Sequence, residues 1–159
     1  MTIAGIQRSS TLDFPGLLSC VLFTPGCDLD CFYCHNRALL SPDVDTISPE
    51  EVWAFLEKRK ELLDGVVISG GEPTLQPGLV PFIRRVKEMG YRVKLDTNGR
   101  RPKVVTTLLE DRLLDYVAVD WKAPSDAYTT VCGGEADTPR LVRQTIALLL
   151  EAGVRCEAR

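Results

Sequence analysis

Ser19-Cys-Val-Leu-Phe-Thr-Pro-Gly-Cys27-Asp-Leu-Asp-Cys31-Phe-Tyr-Cys34-His35 decides how this chain is read. Residues 19–24 form an apolar run of strand length, and a Pro-Gly pair then breaks the run. Three cysteines follow within eight residues, spaced C-x3-C-x2-C, and no fourth cysteine lies nearby. A structural zinc site wants four ligands, normally as two separated pairs, so one compact triplet suits zinc poorly. Iron–sulfur cubanes usually take four thiolates. Three thiolates on a four-iron cluster leave one iron open to a substrate, as open metal positions do elsewhere in catalysis. Of the other three cysteines, Cys20 and Cys156 fall within strands and read as small core residues. Cys132 precedes Gly133-Gly134 and reads as an exposed loop thiol.

Outward from this stretch, short β-branched runs alternate with amphipathic stretches. Ser48-Pro-Glu-Glu51 is a capping box with proline at the first helical position, and Val52, Phe55, Leu56 and Leu63 lie on one face behind it. Strands are expected at 66–69, 92–96, 116–120 and 154–158. Between them, Leu79, Phe82, Ile83 and Val86 mark a helix stopped by Gly90. Pro102 opens another helix through about Asp111, and Thr138-Pro139 caps one that ends at Gly153. Such alternation predicts an α/β fold of parallel βαβ units. The pattern alone leaves barrel and doubly wound sheets open. Ending on a strand is odd for a complete domain, so residues 1–159 read as one domain that is truncated at its C-terminus.

The chain has 159 residues, enough for a single domain with its own core. Its net charge of -3 gives no reason to expect nucleic-acid or membrane-surface binding. No apolar run is long enough to span a bilayer, and the N-terminus lacks the basic-then-apolar pattern of a signal peptide. Clustered cysteines without that leader point to metal binding in the cytoplasm rather than to disulfides.

Ligands of parallel α/β folds bind at the C-terminal ends of the strands. The cysteine loop occupies such a position, and so do Ser69-Gly-Gly-Glu-Pro73, Asp96-Thr-Asn-Gly99 and Asp120-Trp-Lys122. Gly70 and Gly71 lack side chains, which lets backbone approach a ligand closely, and Glu72 can offer charge to an ammonium. In the third strand Lys94 and Asp96 share one face, and Val93 and Leu95 share the other. In the fourth, Ala118, Asp120 and Lys122 oppose Val117, Val119 and Trp121. The charged faces are expected to point inward, either to hold a ligand or to pair internally.

The triplet resembles the cluster-binding signature of the radical S-adenosylmethionine (SAM) superfamily. Thr11-Leu-Asp-Phe-Pro-Gly16, Phe23-Thr-Pro-Gly-Cys27 and Tyr33-Cys34-His35-Asn36 resemble the activating enzymes of glycyl radical enzymes, closest to the branch that serves anaerobic ribonucleoside-triphosphate reductase. The resemblance implies a partial (β/α)6 TIM-type barrel lacking its last unit. It also implies a 4Fe–4S cluster held by Cys27, Cys31 and Cys34, with SAM chelated at the open iron and cleaved to methionine and a 5′-deoxyadenosyl radical. SAM contacts are implied for Tyr33 at the adenine, for Gly70, Gly71 and Glu72 at the ammonium, and for Asp96 and Lys122. Asp96, Thr97 and Asp120 match a monovalent-cation site of some relatives. His35, the only histidine, is expected to support the cluster loop through hydrogen bonds. The implied partners are a glycyl radical enzyme and an electron donor such as flavodoxin or ferredoxin. Two other readings stand beside this one. The first is a radical SAM enzyme acting on a small molecule, like 7-carboxy-7-deazaguanine synthase. The second is a non-catalytic iron–sulfur electron-transfer protein, which leaves Glu72, Asp96 and Lys122 unexplained.

Overall fold

The computed structural model describes residues 1–159. One six-stranded sheet runs in chain order: β1 (Gly5–Ser10), β2 (Ser19–Thr24), β3 (Gly65–Gly70), β4 (Arg92–Thr97), β5 (Tyr116–Val119) and β6 (Arg155–Ala158). β2 through β6 are parallel, and β1 lies antiparallel against β2. The sheet stays open between β1 and β6, which makes it a partial TIM-type barrel. The helices that connect the parallel strands are α1 (Pro49–Arg59), α2 (Leu79–Glu88), α3 (Pro102–Glu110), the short α4 (Tyr128–Cys132) and α5 (Thr138–Ala152).

The five expected strands stand within about a residue of their expected bounds. β1 was not anticipated. Its sequence, Gly-Ile-Gln-Arg-Ser-Ser, has one β-branched apolar residue, and Gln7, Arg8 and Ser9 are exposed. An edge strand with one wet face and a charged residue carries little of the strand signal. α4 was not anticipated either, because five residues are too few to show a helical period. The capping box at Ser48 is complete: its hydroxyl accepts the Glu51 amide, and the Glu51 carboxylate accepts the Ser48 amide. α5 begins one residue earlier than a Thr138 cap implies. Asp137 is its N-cap, and Thr138 is fully buried.

The two faces of the sheet hold two different cores. Cys20, Leu22, Val66, Ile68, Val93, Leu95, Val117 and Val119 point outward and pack under the helices in one large apolar cluster. Register places Val21, Val67, Lys94 and Tyr116 side by side on the inner face. Residues from the β1–β2 loop plug the barrel beneath this row. Phe14 packs on Val21, Val67 and Tyr116, with its ring centroid 6.1 Å from that of Tyr116. The Thr11–Gly16 stretch therefore sits at the barrel floor, at the end opposite the cysteines. Lys94 is only 2% exposed. Its ammonium donates to the Asp13 carbonyl at 2.7 Å and lies 2.9 Å from Asp96 Oδ1. A buried ammonium would be costly without such partners.

Phe14→Ala is expected to lower the unfolding free energy by about 3–5 kcal/mol, because it empties the floor of the barrel. Leu12→Ala, at a side chain 89% exposed, is expected to stay within about 0.5 kcal/mol of the parent. Urea denaturation of the two variants checks this, and equal midpoints would contradict it.

Candidate functional site

The C-terminal rim of the sheet encloses a cavity of about 400 Å³. The β2 loop supplies Cys27, Cys31, Tyr33 and Cys34, and the end of β3 supplies Ser69, Gly70 and Gly71. β4 contributes Asp96, Thr97 and Asn98, β5 leads into Asp120, Trp121 and Lys122, and Arg159 follows β6. The structure thus brings together all the expected site residues except Glu72, which does not line the cavity.

All six cysteines are free thiols. No three His, Cys, Asp or Glu side chains close on a single metal ion, yet the three clustered cysteines face one cavity. The cavity of about 400 Å³ has room for more than one ion. It suits a multi-iron cluster, in which each thiolate binds its own iron. Burial pushes the Cys27 thiol up to about 11 and the Cys31 thiol up to about 12.

Backbone and charged side chains hold the cysteine loop in place. The Gly26 amide donates to the Leu39 carbonyl at 2.8 Å, and the Cys34 amide donates to the Cys31 carbonyl at 3.0 Å. Arg37 donates to the Cys31 carbonyl at 3.1 Å and pairs with Asp30 at 2.9 Å. Asp28 accepts Asn98 Nδ2 at 2.8 Å and pairs with Arg100 at 3.0 Å, which fastens the loop to the β4 end. Residues of α4 clasp it from the far side: the Asp30 amide donates to the Cys132 carbonyl at 2.8 Å, and the Phe32 amide to that of Val131 at 3.3 Å. Sequence reasoning missed Asp28, Arg100 and α4 as supports. Acids between the cysteines and an Arg-Arg pair after Asn98-Gly99 were the available signals.

Four expectations about the rim are corrected by the geometry, and the glycine pair gains a structural cause of its own. Gly70 and Gly71 are required by the neighbouring chain. A Cβ on Gly70 would overlap the Thr24 backbone, one on Gly71 would overlap the Gly26 carbonyl, and Gly70 also has φ +124. This is a close approach of loop to loop, and both glycines also line the cavity. The Glu72 carboxylate is wholly buried and turned away from the cavity. It accepts the Thr74 amide at 2.9 Å and the Thr74 hydroxyl, the Thr97 hydroxyl at 2.8 Å and the Asn98 amide at 2.6 Å. Asp96, Thr97 and Asp120 do not offer an open cation site. Arg159 reaches Asp96 at 3.3 Å and Asp120 at 2.9 Å, Lys122 reaches Asp120 at 2.8 Å, and Thr97 spends its hydroxyl on Glu72. Protein cations already neutralise both acids. His35 is exposed at the cavity wall, and neither a hydrogen bond nor an ion pair anchors its ring. Cys132 is fully buried at the end of α4 and is no exposed loop thiol.

Lys122 lines the cavity, paired with Asp120. Burial works against its charge, but the Asp120 carboxylate and its hydrogen bond, helped by Cys31 and Tyr33, outweigh that, so the ammonium holds its proton more firmly than usual. The Tyr33 hydroxyl donates to the Lys122 carbonyl at 3.0 Å, which sets the aromatic ring on the wall beside the cysteines.

The profile of the Radical SAM superfamily matches residues 21–158. The chain belongs to the radical SAM superfamily, whose members use a 4Fe–4S cluster and SAM. It is 40% identical over 127 residues to a protein of Methanocaldococcus jannaschii named "Putative glycyl-radical enzyme activating enzyme", covering 79% of this chain and 52% of that one. It is 30% identical over 141 residues to a "Probable GTP 3',8-cyclase" of Methanococcus aeolicus, covering 85% and 46%. It is 36% identical over 121 residues to the 7-carboxy-7-deazaguanine synthase of Methanopyrus kandleri, covering 63% and 47%. The chain spans about half the length of these curated relatives. Its fold matches native anSMEcpe with bound AdoMet at a TM-score of 0.66, with 20% identity, over 88% of this chain and 42% of that one. No helix is long and apolar enough to cross a membrane.

Two outcomes follow from this geometry. Gly71→Ala is expected to lower stability by about 3 kcal/mol through overpacking against Gly26 and to reduce iron uptake. A variant with parental denaturation midpoint and iron content would contradict the clamp. Metal capture by the triplet is expected to strengthen as pH rises. Cys27 and Cys31 keep their protons in the metal-free chain until about pH 11 and about pH 12, and each must release one on binding. Those two protons alone make apparent affinity rise by about 100-fold per pH unit. Anaerobic cadmium titrations followed by thiolate charge-transfer absorption measure this, and a pH-independent affinity would refute it.

Proposed function

We propose that this chain is the cofactor-binding part of a radical SAM activase that generates a glycyl radical on a partner enzyme, an anaerobic ribonucleotide reductase. The observation that carries the reading is its 40% identity, across 79% of its length, to a relative named as a glycyl-radical enzyme activating enzyme. The quoted motifs around the cysteines point the same way.

In this reading Cys27, Cys31 and Cys34 would each hold one iron of the cluster and leave the fourth for SAM. Bound together, cluster and SAM supply one-electron cleavage of a carbon–sulfur bond and hence a 5′-deoxyadenosyl radical. The residues of the chain position and shield these groups. Gly70 and Gly71 present backbone to the SAM ammonium. Glu72 acts by holding Thr97 and Asn98 where they line the cavity. Lys122 meets the anionic end of the ligand, Asp96 lies on the barrel side of the same pocket, and Tyr33 offers its ring to the adenine. Flavodoxin or ferredoxin would supply the electron, in the cytoplasm.

The cyclase and deazaguanine synthase relatives favour a second reading, in which a purine compound occupies the same rim. The test is anaerobic reconstitution, reduction with dithionite and addition of SAM. The parent chain is expected to release 5′-deoxyadenosine, and Cys31→Ala to release less by about 100-fold or more, in line with loss of a reacting centre. Addition of the reductase of the same organism should then give a glycyl radical doublet in EPR. Consumption of GTP without that doublet would favour the second reading, and a cluster indifferent to SAM would defeat both.

A further inference from the structure

Lys122 has no helix or strand to hold it, because residues 120–122 leave β5 without regular structure. Its main chain is nevertheless tied on both sides by tyrosine hydroxyls. The Lys122 amide donates to the Tyr128 hydroxyl at 3.2 Å, and that hydroxyl donates to the Asp120 carbonyl at 3.3 Å. On the other side the Lys122 carbonyl accepts the Tyr33 hydroxyl at 3.0 Å. Tyr128 is only 1% exposed, and its ring meets that of Trp121 edge-on at a centroid distance of 5.7 Å. One phenol thus satisfies both ends of the Asp120–Lys122 turn, which no backbone partner does. The same residue begins α4, whose Val131 and Cys132 carbonyls accept the Phe32 and Asp30 amides of the cysteine loop. The circuit is closed: Lys122 is tied to Tyr128, α4 to the cysteine loop, and Tyr33 of that loop back to Lys122.

We propose that Tyr128 is a positioning residue: its hydroxyl fixes the Asp120–Lys122 turn and so aims the Lys122 ammonium at the anionic end of SAM. This rests on the SAM reading of the cavity made above. A lysine ammonium rides on a flexible four-carbon stem, so a charge at one fixed place needs a fixed main chain behind it as well as its pairing with Asp120 at 2.8 Å. Tyr128 itself does not line the cavity. Removing its hydroxyl therefore takes away no contact with the ligand. It leaves the Lys122 amide and the Asp120 carbonyl without that partner, and the turn is then free to shift. Binding groups held in place before the ligand arrives cost less ordering on binding.

The experiment loads the parent, Tyr128→Phe, Lys122→Met and the double variant anaerobically with iron and sulfide and measures SAM affinity by isothermal titration. Phe keeps the buried ring and removes only the hydroxyl. Expected are parental iron content in all variants and SAM affinity about tenfold weaker in Tyr128→Phe, the scale of one lost hydrogen bond. The double variant is expected to bind no more weakly than Lys122→Met alone, because a residue that acts through another loses its effect once the other is gone. Parental affinity in Tyr128→Phe, a fall in its iron content, or losses that add in the double variant would overturn the proposal. Should Tyr128→Phe fail to fold, amide hydrogen exchange of the parent decides. The Lys122 amide is expected to exchange more than about tenfold slower than an unstructured one, and exchange at the unstructured rate would overturn the tie. A loaded parent that binds no SAM would defeat the reading on which this rests, whereas a parent that binds SAM beside an unaffected Tyr128→Phe would defeat this inference alone.

Discussion

The rim of this barrel depends on one buried carboxylate. Glu72 is fully enclosed and accepts donors from Thr74, Thr97 and Asn98, while its own amide donates to the Gly26 carbonyl at 2.7 Å. One residue thereby ties the ends of β2, β3 and β4 together. Burial raises its pKa above the ordinary carboxylate value, and the donors from Thr74, Asn98 and Thr97 work the other way. An acid placed there without those donors would be severely destabilising. The glycines before it are part of the same constraint. Only a chain lacking Cβ at Gly70 and Gly71 can lie against Thr24 and Gly26, and only then do the cysteine loop and the β3 loop share a wall.

Inside the barrel a second constraint operates, that of charge in a confined space. From floor to mouth the inner face carries Lys94, Asp96, Asp120, Lys122 and Arg159, linked pair by pair. The buried end is closed: Lys94 satisfies itself on Asp13 and Asp96, over the apolar plug of Phe14. The mouth is more open, with Arg159 about half exposed. Floor residues therefore serve stability, and mouth residues can exchange partners with an incoming anionic group at lower desolvation cost. That gradient separates structural charges from candidate binding charges better than residue type does.

Much of this was legible in the residues themselves. The five parallel strands, the helix starts at Ser48 and Pro102 and the stop at Gly153 follow from local chemistry: alternation, a capping box, proline at a first turn and glycine after a last one. The rim was legible because each motif directly follows a strand. β1 was not, since an exposed antiparallel edge strand needs no apolar pattern. α4 was not, since its role is to present two carbonyls to a loop a hundred residues earlier.

The amino-acid sequence by itself determined the class of the fold and the chemistry of its cluster loop, because periodicity and the C-x3-C-x2-C spacing are local properties. Tertiary structure alone decided what each polar group faces. Glu72 reads as a ligand for an ammonium and is a buried brace. Asp96 and Asp120 read as a cation site and are neutralised by Lys94, Lys122 and Arg159. Cys132 reads as a loop thiol and is buried at the end of α4. The physical reason is common to all three. Whether a charge or thiol is free depends on partners distant in sequence, and only the register of the sheet and the docking of its loops bring those partners together.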